Sequence, residues 1–96
     1  MELHIVGRFH AREGCEEAVA DAIRDVRGPT QAEPGCLEYQ ALRSASDSRL
    51  FWIYSRWGTE TEFDRHAELP HTVRFLEDVT PLIDHELQVS RSRLLD

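Results

Sequence analysis

Apolar and polar positions alternate from Leu3 to His10, with Leu3, Ile5, Gly7 and Phe9 on one side and His4, Val6, Arg8 and His10 on the other. A period of two is the period of a strand. The period then lengthens: Cys15, Ala18, Val19, Ala22, Ile23 and Val26 recur at the three-four spacing of a helix face. Glu16 and Glu17 in its first turn and Arg24 and Arg27 towards its end suit the helix dipole. Gly28-Pro29 predicts a break or kink, because proline has no amide proton and disfavours helical geometry in the residue before it. A short further turn is expected through Thr30 to Ala32.

Glu33-Pro34-Gly35 is turn chemistry and leads into a second strand, Cys36 to Arg43, where Leu37 and Tyr39 alternate with Glu38 and Gln40. After the small polar run Ser44 to Ser48, Leu50 to Trp57 is rich in aromatic and β-branched residues, so the two segments predict a hairpin. Phe51, Ile53 and Trp57 lie on one side of this third strand and Leu50, Trp52 and Tyr54 on the other. Neither side suits water. Helices can cover one, and the sheet of a second copy is the natural cover for the other, which predicts a homodimer through the sheet face.

Thr59 with Glu62 three positions on forms a capping box that opens a helix containing Phe63, His66 and Ala67. Leu69-Pro70 interrupts it, and His71 to Leu82 resumes helical spacing through Phe75, Leu76, Val79 and Leu82, with Pro81 ending the last turn. From Asp84 to Leu95, His85, Leu87 and Val89 alternate with Glu86, Gln88 and Ser90, predicting a fourth strand. The order strand, helix, strand, strand, interrupted helix, strand predicts an α+β fold, a ferredoxin-like βαββαβ arrangement with an antiparallel sheet and helices on one side. Residues 1–96 are expected to form a single domain, without internal repeat or linker.

Composition narrows the chemistry. Eleven basic against eighteen acidic residues give a net charge of −7, which repels phosphate backbones and anionic lipids and argues against nucleic acid as a partner. All eleven basic residues are Arg, and the chain contains neither Lys nor Asn, so chemistry that needs those side chains is excluded. No apolar run approaches the ~18 residues of a membrane span. Met1-Glu2-Leu3-His4 lacks the basic start and apolar core of an export signal, so a cytoplasmic protein is expected. Cys15 and Cys36 have no ribbon or dithiol spacing and are expected as free, mostly buried thiols.

His66 and His71, separated by four residues across the helix interruption, are the leading candidates for proton transfer, since imidazole exchanges a proton near neutrality. Beside aromatic walls they suit an oxygen-bearing aromatic ligand as base and donor. Capping of the second helical segment by His71, with His66 a half-exposed polar residue, explains the same pair without function. A metal reading needs a third ligand, for which His85 and Glu68 are the nearest recruits. Tyr54 can donate a phenolic proton and Trp57 can stack on a planar ring, although core packing accounts equally for Trp57. Ser55 shares a face with Trp57 but has no nucleophile-elbow context. His4, Arg8 and His10 are surface or edge groups, with His4 or His10 reaching a pocket only if that face is inward. Phosphate-binding glycine loops and dinucleotide fingerprints are absent, so no nicotinamide or flavin cofactor is expected.

Several segments together resemble the antibiotic biosynthesis monooxygenase family over roughly Leu3 to Leu87. Ala32-Glu33-Pro34-Gly35-Cys36-Leu37-Glu38-Tyr39 is similar to the family's E-P-G-C-x-x-Y turn, and an aromatic strand ending in Trp57, Phe63-x-x-His66 and Pro70-His71 follow in order. The resemblance implies a dimeric α/β barrel and a monooxygenase that oxidises a phenolic, quinol or polycyclic aromatic substrate with dioxygen, using no cofactor and no metal. With the family's motif matched at His66, Pro70 and His71, His66 or His71 is expected as the catalytic base, Tyr54 as its hydrogen-bonding catalytic partner, and Trp57, Phe63 and Phe75 as substrate-binding walls. The chain departs from relatives that carry Glu two residues before the Trp, having Ser55 there, and from polyketide oxygenases with Asn four before and Tyr six after it, having Ile53 and Phe63. Haem-degrading relatives need an Asn that this chain lacks. Quinol-oxidising and small-ligand isomerase relatives share the histidine spacing ending in Pro-His. An isomerase or decarboxylase of a small metabolite, and a non-catalytic metabolite-binding or assembly module, are the alternatives on the same fold.

Overall fold

In a computed structural model, which describes residues 1–96, the alternating stretch becomes strand β1 (Leu3–His10) and the first helical stretch becomes α1 (Glu16–Gln31). The hairpin β2 (Cys36–Arg43) and β3 (Leu50–Trp57) follows, then α2 (Glu60–Glu68), α3 (Pro70–Val79), a 3-10 turn (Thr80–Leu82) and β4 (Gln88–Ser92). The strands form one open sheet in the order β2-β3-β1-β4, and every neighbouring pair is antiparallel. This is the ferredoxin-like α+β arrangement that the order of elements predicts.

Alternation decides the faces. Leu3, Ile5, Gly7 and Phe9 of β1 and Phe51, Ser55 and Trp57 of β3 are buried, while the residues between them are partly open. Val19, Ala20, Ile23 and Val26 of α1 and Phe75 and Val79 of α3 meet Phe9 and Phe51 in the main core. Leu3, Ile5 and Trp57 form a smaller cluster against Cys36 and Phe63. The opposite face carries Val6, Leu42, Leu50, Trp52 and Tyr54, none fully buried, and Leu42 is 55% exposed.

α1 runs through Gly28-Pro29 to Gln31, where a break or kink is expected. Pro29 sits in the last turns on the solvent side, so the single carbonyl it leaves unpaired within the helix can be hydrated, and the buried register Val19, Ile23, Val26, Thr30 continues past it. β4 is shorter than the expected Asp84 to Leu95. His85 Nε2 accepts the His10 backbone amide at 2.9 Å, taking a donor that a strand partner would use, and regular pairing begins only at Arg8 with Gln88. Both cysteines are free and half-buried, so the expected burial is only partial. No helix is long and apolar enough to cross a membrane.

Candidate active site

The loop after α1 places an acid that spacing alone does not single out. Glu33 N–H donates to the Thr30 carbonyl at 3.1 Å and Cys36 N–H to the Glu33 carbonyl at 3.0 Å, so the chain reverses tightly about Pro34-Gly35. Gly35 is pressed against α2: a Cβ there would lie 2.5 Å from Glu62 Cβ, so only glycine admits this approach. Gly58 N–H closes the junction on the Gly35 carbonyl at 3.1 Å. The turn thus holds Glu33 beside the start of the α2–α3 unit.

That unit is built by its interruption. Thr59 Oγ1 accepts the Glu62 amide at 3.2 Å and starts α2. Leu69 is extended, at φ −72° and ψ 146°, and Pro70 occupies the first turn of α3, where its missing amide proton costs nothing. On an unbroken helix, residues five apart point ~140° away from each other. The extended residue brings the two histidines back together.

Both rings meet one oxygen. Glu33 Oε2 accepts from His66 Nδ1 at 2.7 Å and from His71 Nε2 at 2.8 Å, and Thr72 Oγ1 lies 3.2 Å from the same His66 nitrogen. The Glu33 side chain is only 10% exposed, so its charge is satisfied by these ring N–H groups in place of water. His66 Nε2 has no protein partner. The ring itself packs against Trp57, at a centroid distance of 4.7 Å, and Phe63, at 5.6 Å, in a three-ring cluster. Trp57 is fixed in turn by donating its indole N–H to Ser55 Oγ at 2.9 Å.

His66 also forms part of the wall of a cavity of about 310 Å³ between the helices and the sheet. Ile5, Gly7, Phe9 and Ile53 supply its floor, Phe63, Phe75 and Leu76 its helical side, and Leu87, Val89 and Arg91 its β4 side. Gly7 leaves room at the centre of the floor, since a Cβ there would lie 3.1 Å from the Phe9 ring. Arg91 packs over Phe63 at 4.9 Å and pairs with Asp64 at 2.8 Å and Glu60 at 3.0 Å, which ties β4 to α2 across the opening.

Three polar residues in this largely apolar wall stand out. Ser55 is spoken for by Trp57. The hydroxyls of Tyr39 and Thr30 are buried with no hydrogen-bond partner, an arrangement that costs ~1–3 kcal/mol for each such group. Burial first, then the nearby Cys36, pushes the Tyr39 phenol up to about 12, with Arg27 opposing. Burial and then the Glu33 charge push the Cys36 thiol up as well, which makes it a poor nucleophile.

Glu33, His66 and His71 are also the only three-residue group whose ligand atoms, all within 4.8 Å of one another, could gather round a cation. The third member is Glu33, in place of the His85 or Glu68 that spacing suggests. The two short contacts to Glu33 are hydrogen-bond lengths, whereas donors around a tetrahedral zinc stand roughly 3.3 Å apart. A metal would have to spread the group.

Of the residues expected at the site, His66 and His71 converge on Glu33, Phe63 and Phe75 line the cavity, and Trp57 supports His66 from behind without lining the cavity itself. Tyr54 does not join them. It projects from the opposite face of β3 and its hydroxyl bonds His4 Nδ1 at 2.7 Å, because residues 54 and 55 of a strand necessarily point to opposite sides. His10 is likewise away from the cavity, bonded to Asp84 and Asp47 at 2.6 and 2.9 Å. Spacing missed Glu33, Thr30, Tyr39 and Thr72. Glu33 and Tyr39 stand in the E-P-G-C-x-x-Y turn, which is the one signal that marks them.

A four-stranded antiparallel sheet with a single helical layer makes this a small ferredoxin-like α+β protein, here with an open-mouthed apolar cavity and an acid-linked histidine pair. Residues 3–78 match the model of the antibiotic biosynthesis monooxygenase family, and the chain belongs to that family. It is 26% identical over 92 residues to the Mycobacterium tuberculosis protein named "Putative monooxygenase Rv0793", covering 96% of this chain and 90% of that protein. The structure of Rv0793 superposes with a TM-score of 0.94, over 100% of this chain and 97% of the other, at 24% identity. That of PA3566 from Pseudomonas aeruginosa gives a TM-score of 0.91 at 26% identity, over 99% and 95% of the two chains.

Proposed function

We propose that this protein is a cofactor-independent monooxygenase of a phenolic or quinol substrate, with His66 as the base. The observation that carries this reading is the bonding of Glu33 to His66 Nδ1, which leaves Nε2 of a cavity-lining ring as the free nitrogen. Such an acid holds the imidazole in one tautomer and steadies the cation formed when it takes a proton. His71, on the same oxygen, restrains Glu33 and shares its charge.

The chemistry asks little else of the protein. Transfer of a phenolic proton to His66 leaves a phenolate, which passes one electron to dioxygen. The two radicals recombine as a ring hydroperoxide, and loss of water leaves a carbonyl. A dihydroxyarene and one dioxygen thus give a hydroxyquinone and one water, with all four electrons drawn from the substrate. An apolar cavity favours each step by excluding bulk water. Its volume lies at the lower end of the ~300–1,000 Å³ range of small-molecule sites, which favours one or two fused rings over a larger polycycle. Homodimer formation through the open sheet face belongs to the same reading, because Val6, Leu42, Leu50 and Trp52 give that face an apolar patch directed away from the cavity.

The test is oxygen uptake by the purified protein with a panel of naphthoquinols and anthrones. Uptake with formation of a hydroxyquinone from a naphthoquinol, or of an anthraquinone from an anthrone, is expected, falling ~10²–10⁴-fold in His66→Ala. Absence of uptake across the panel, or full uptake by His66→Ala, would refute the reading. Two histidines joined through one carboxylate also suit an isomerase, which moves a proton out and back; conversion under strict anaerobiosis would select that alternative.

A further inference from the structure

We propose that Glu33, His66 and His71 form an inhibitory site for a divalent cation of the zinc class, reached through a different cavity from the substrate's. Zinc bound there holds His66 by Nδ1 and removes the basic nitrogen that faces the substrate. The metal site stands on its own geometry; its effect on turnover rests on the reading of His66 as the base.

Two imidazole nitrogens and one carboxylate oxygen are a donor set that suits zinc and not magnesium. Glu33 Oε2, His66 Nδ1 and His71 Nε2 lie within 4.8 Å of one another. Opening the contacts of 2.7 and 2.8 Å by roughly half an ångström gives the spacing of tetrahedral zinc ligands. Thr72 Oγ1, 3.2 Å from His66 Nδ1, is placed to hold a water in the fourth position. Charge favours the same occupant. The largely buried Glu33 has the two rings as its only ion-pair partners, and no arginine reaches it. With both imidazoles neutral, the group carries an unmatched negative charge that a dication satisfies.

A second cavity, of about 220 Å³, lies against the Glu33 turn and is lined by Glu33, Trp57, Glu62, Arg65 and Leu69 among others. His66 lines the substrate cavity but not this one, and Glu33 lines this one but not the substrate cavity. Cation and substrate therefore approach the group from different sides. A neutral imidazole bears a single ring proton. Zinc on Nδ1 confines that proton to Nε2, so it passes through water from one nitrogen of His66 to the other and none is released. His71, bound through Nε2, keeps its proton on Nδ1 in the same way. His66 then cannot accept a phenolic proton, while the walls that bind the substrate are untouched. Zinc thus acts on kcat and not on KM.

The experiment titrates the full chain with Zn²⁺ by calorimetry, follows the ring nitrogens by NMR of histidine-labelled protein, and repeats the oxygen-uptake assay with zinc. One Zn²⁺ per chain is expected, with micromolar affinity and a raised melting temperature, while excess Mg²⁺ does neither. The His66 Nε2 resonance should move from the unprotonated to the protonated range. Glu33→Gln and His71→Ala should each weaken binding by at least the ~10–100-fold that loss of a mere outer-shell partner costs. His10→Gln, whose ring belongs to another cluster, should bind zinc as the wild type does. With a quinol that is turned over, saturating zinc should cut kcat ~10²–10⁴-fold at unchanged KM, the loss expected on removing the base. Absence of saturable binding, binding that survives in both ligand variants, equal binding of Mg²⁺, or an unmoved Nε2 resonance would overturn the proposal. Zinc binding with the tautomer change in a protein that consumes no oxygen would sink only the oxygenase reading, and oxygen uptake indifferent to zinc only this one.

Discussion

Glu33 shows what a single side chain contributes once its neighbours are known. It is a turn residue by sequence, yet its carboxylate joins two histidines 33 and 38 positions further along the chain. Glu33→Gln keeps the size of the side chain but removes the charge that stabilises a protonated imidazole. Turnover is expected to fall ~10²–10³-fold with KM little changed, as for loss of an interaction made mainly in the transition state. Steady-state kinetics with whichever quinol is turned over checks this, and a variant with unaltered kcat would remove Glu33 from the mechanism. Ser55→Ala tests the support beneath His66. The buried Trp57 indole N–H would lose its only acceptor, at a cost of ~1–3 kcal/mol measured by denaturant unfolding.

The same scale shows where the sequence was legible. Phe63 and Phe75 follow from helical spacing, which states correctly which residues share a face. The misplaced residue, Tyr54, is a matter of a single step along a strand. Ser55 and Trp57 face the helices and Tyr54 faces away, and alternation already separates them. Only the choice of which face holds the cavity needs the packed helices.

Among the elements, the ends of β1 and the lead into β4 depend on a polar clip. His10 bridges Asp84 at 2.6 Å and Asp47 at 2.9 Å, with Arg49 3.5 Å from Asp84, joining the end of β1 to the hairpin loop and to the segment before β4. Hydrogen bonding to Asp84 and then to Asp47 raises the His10 pKa above its ordinary 6.5. The amide of Arg49 and then His10 lower Asp47 from 3.8, and His10 lowers Asp84 from the same value.

A raised histidine contributes stability that is complete below pH 6.5 and is lost as pH climbs through its folded value. The lowered carboxylates contribute above pH 3.8 and lose that contribution as pH falls through their folded values. The clip is therefore strongest between those limits. His10→Gln should lower the melting temperature most near pH 5 and progressively less above neutrality; a deficit that grows with pH would contradict the assignment. Spacing does not reveal this clip, because its members come from three separate segments. The short β4 has its own cause in the His85 side chain on the His10 amide, whereas the passage of α1 through Pro29 follows from where that proline lies relative to water.

For the whole molecule, the second face of the sheet is the feature left without a covering layer. Val6, Leu42, Leu50 and Trp52 share it, with Arg56 at its margin bonded to Glu2 at 2.9 Å and to Glu38 at 3.3 Å. Burying such a patch against its copy is favourable by ~25 cal/mol per Å² of apolar surface, a large term for a chain of this size. Sedimentation at micromolar concentration is expected to give a dimer, and Trp52→Arg a folded monomer, since a charge would be trapped in the contact. A wild-type monomer would leave the apolar face without its proposed partner.

Period and punctuation along the chain determined the number, kind and order of the elements, because backbone hydrogen bonding admits few solutions for a given alternation. The same local rules assigned residues to faces, since side-chain direction is set by neighbouring dihedral angles. What touches what across the layers was decided only by the tertiary structure. One carboxylate beneath two imidazoles, and two hydroxyls without partners, are relations between segments far apart in sequence that exist only once burial has brought those segments together.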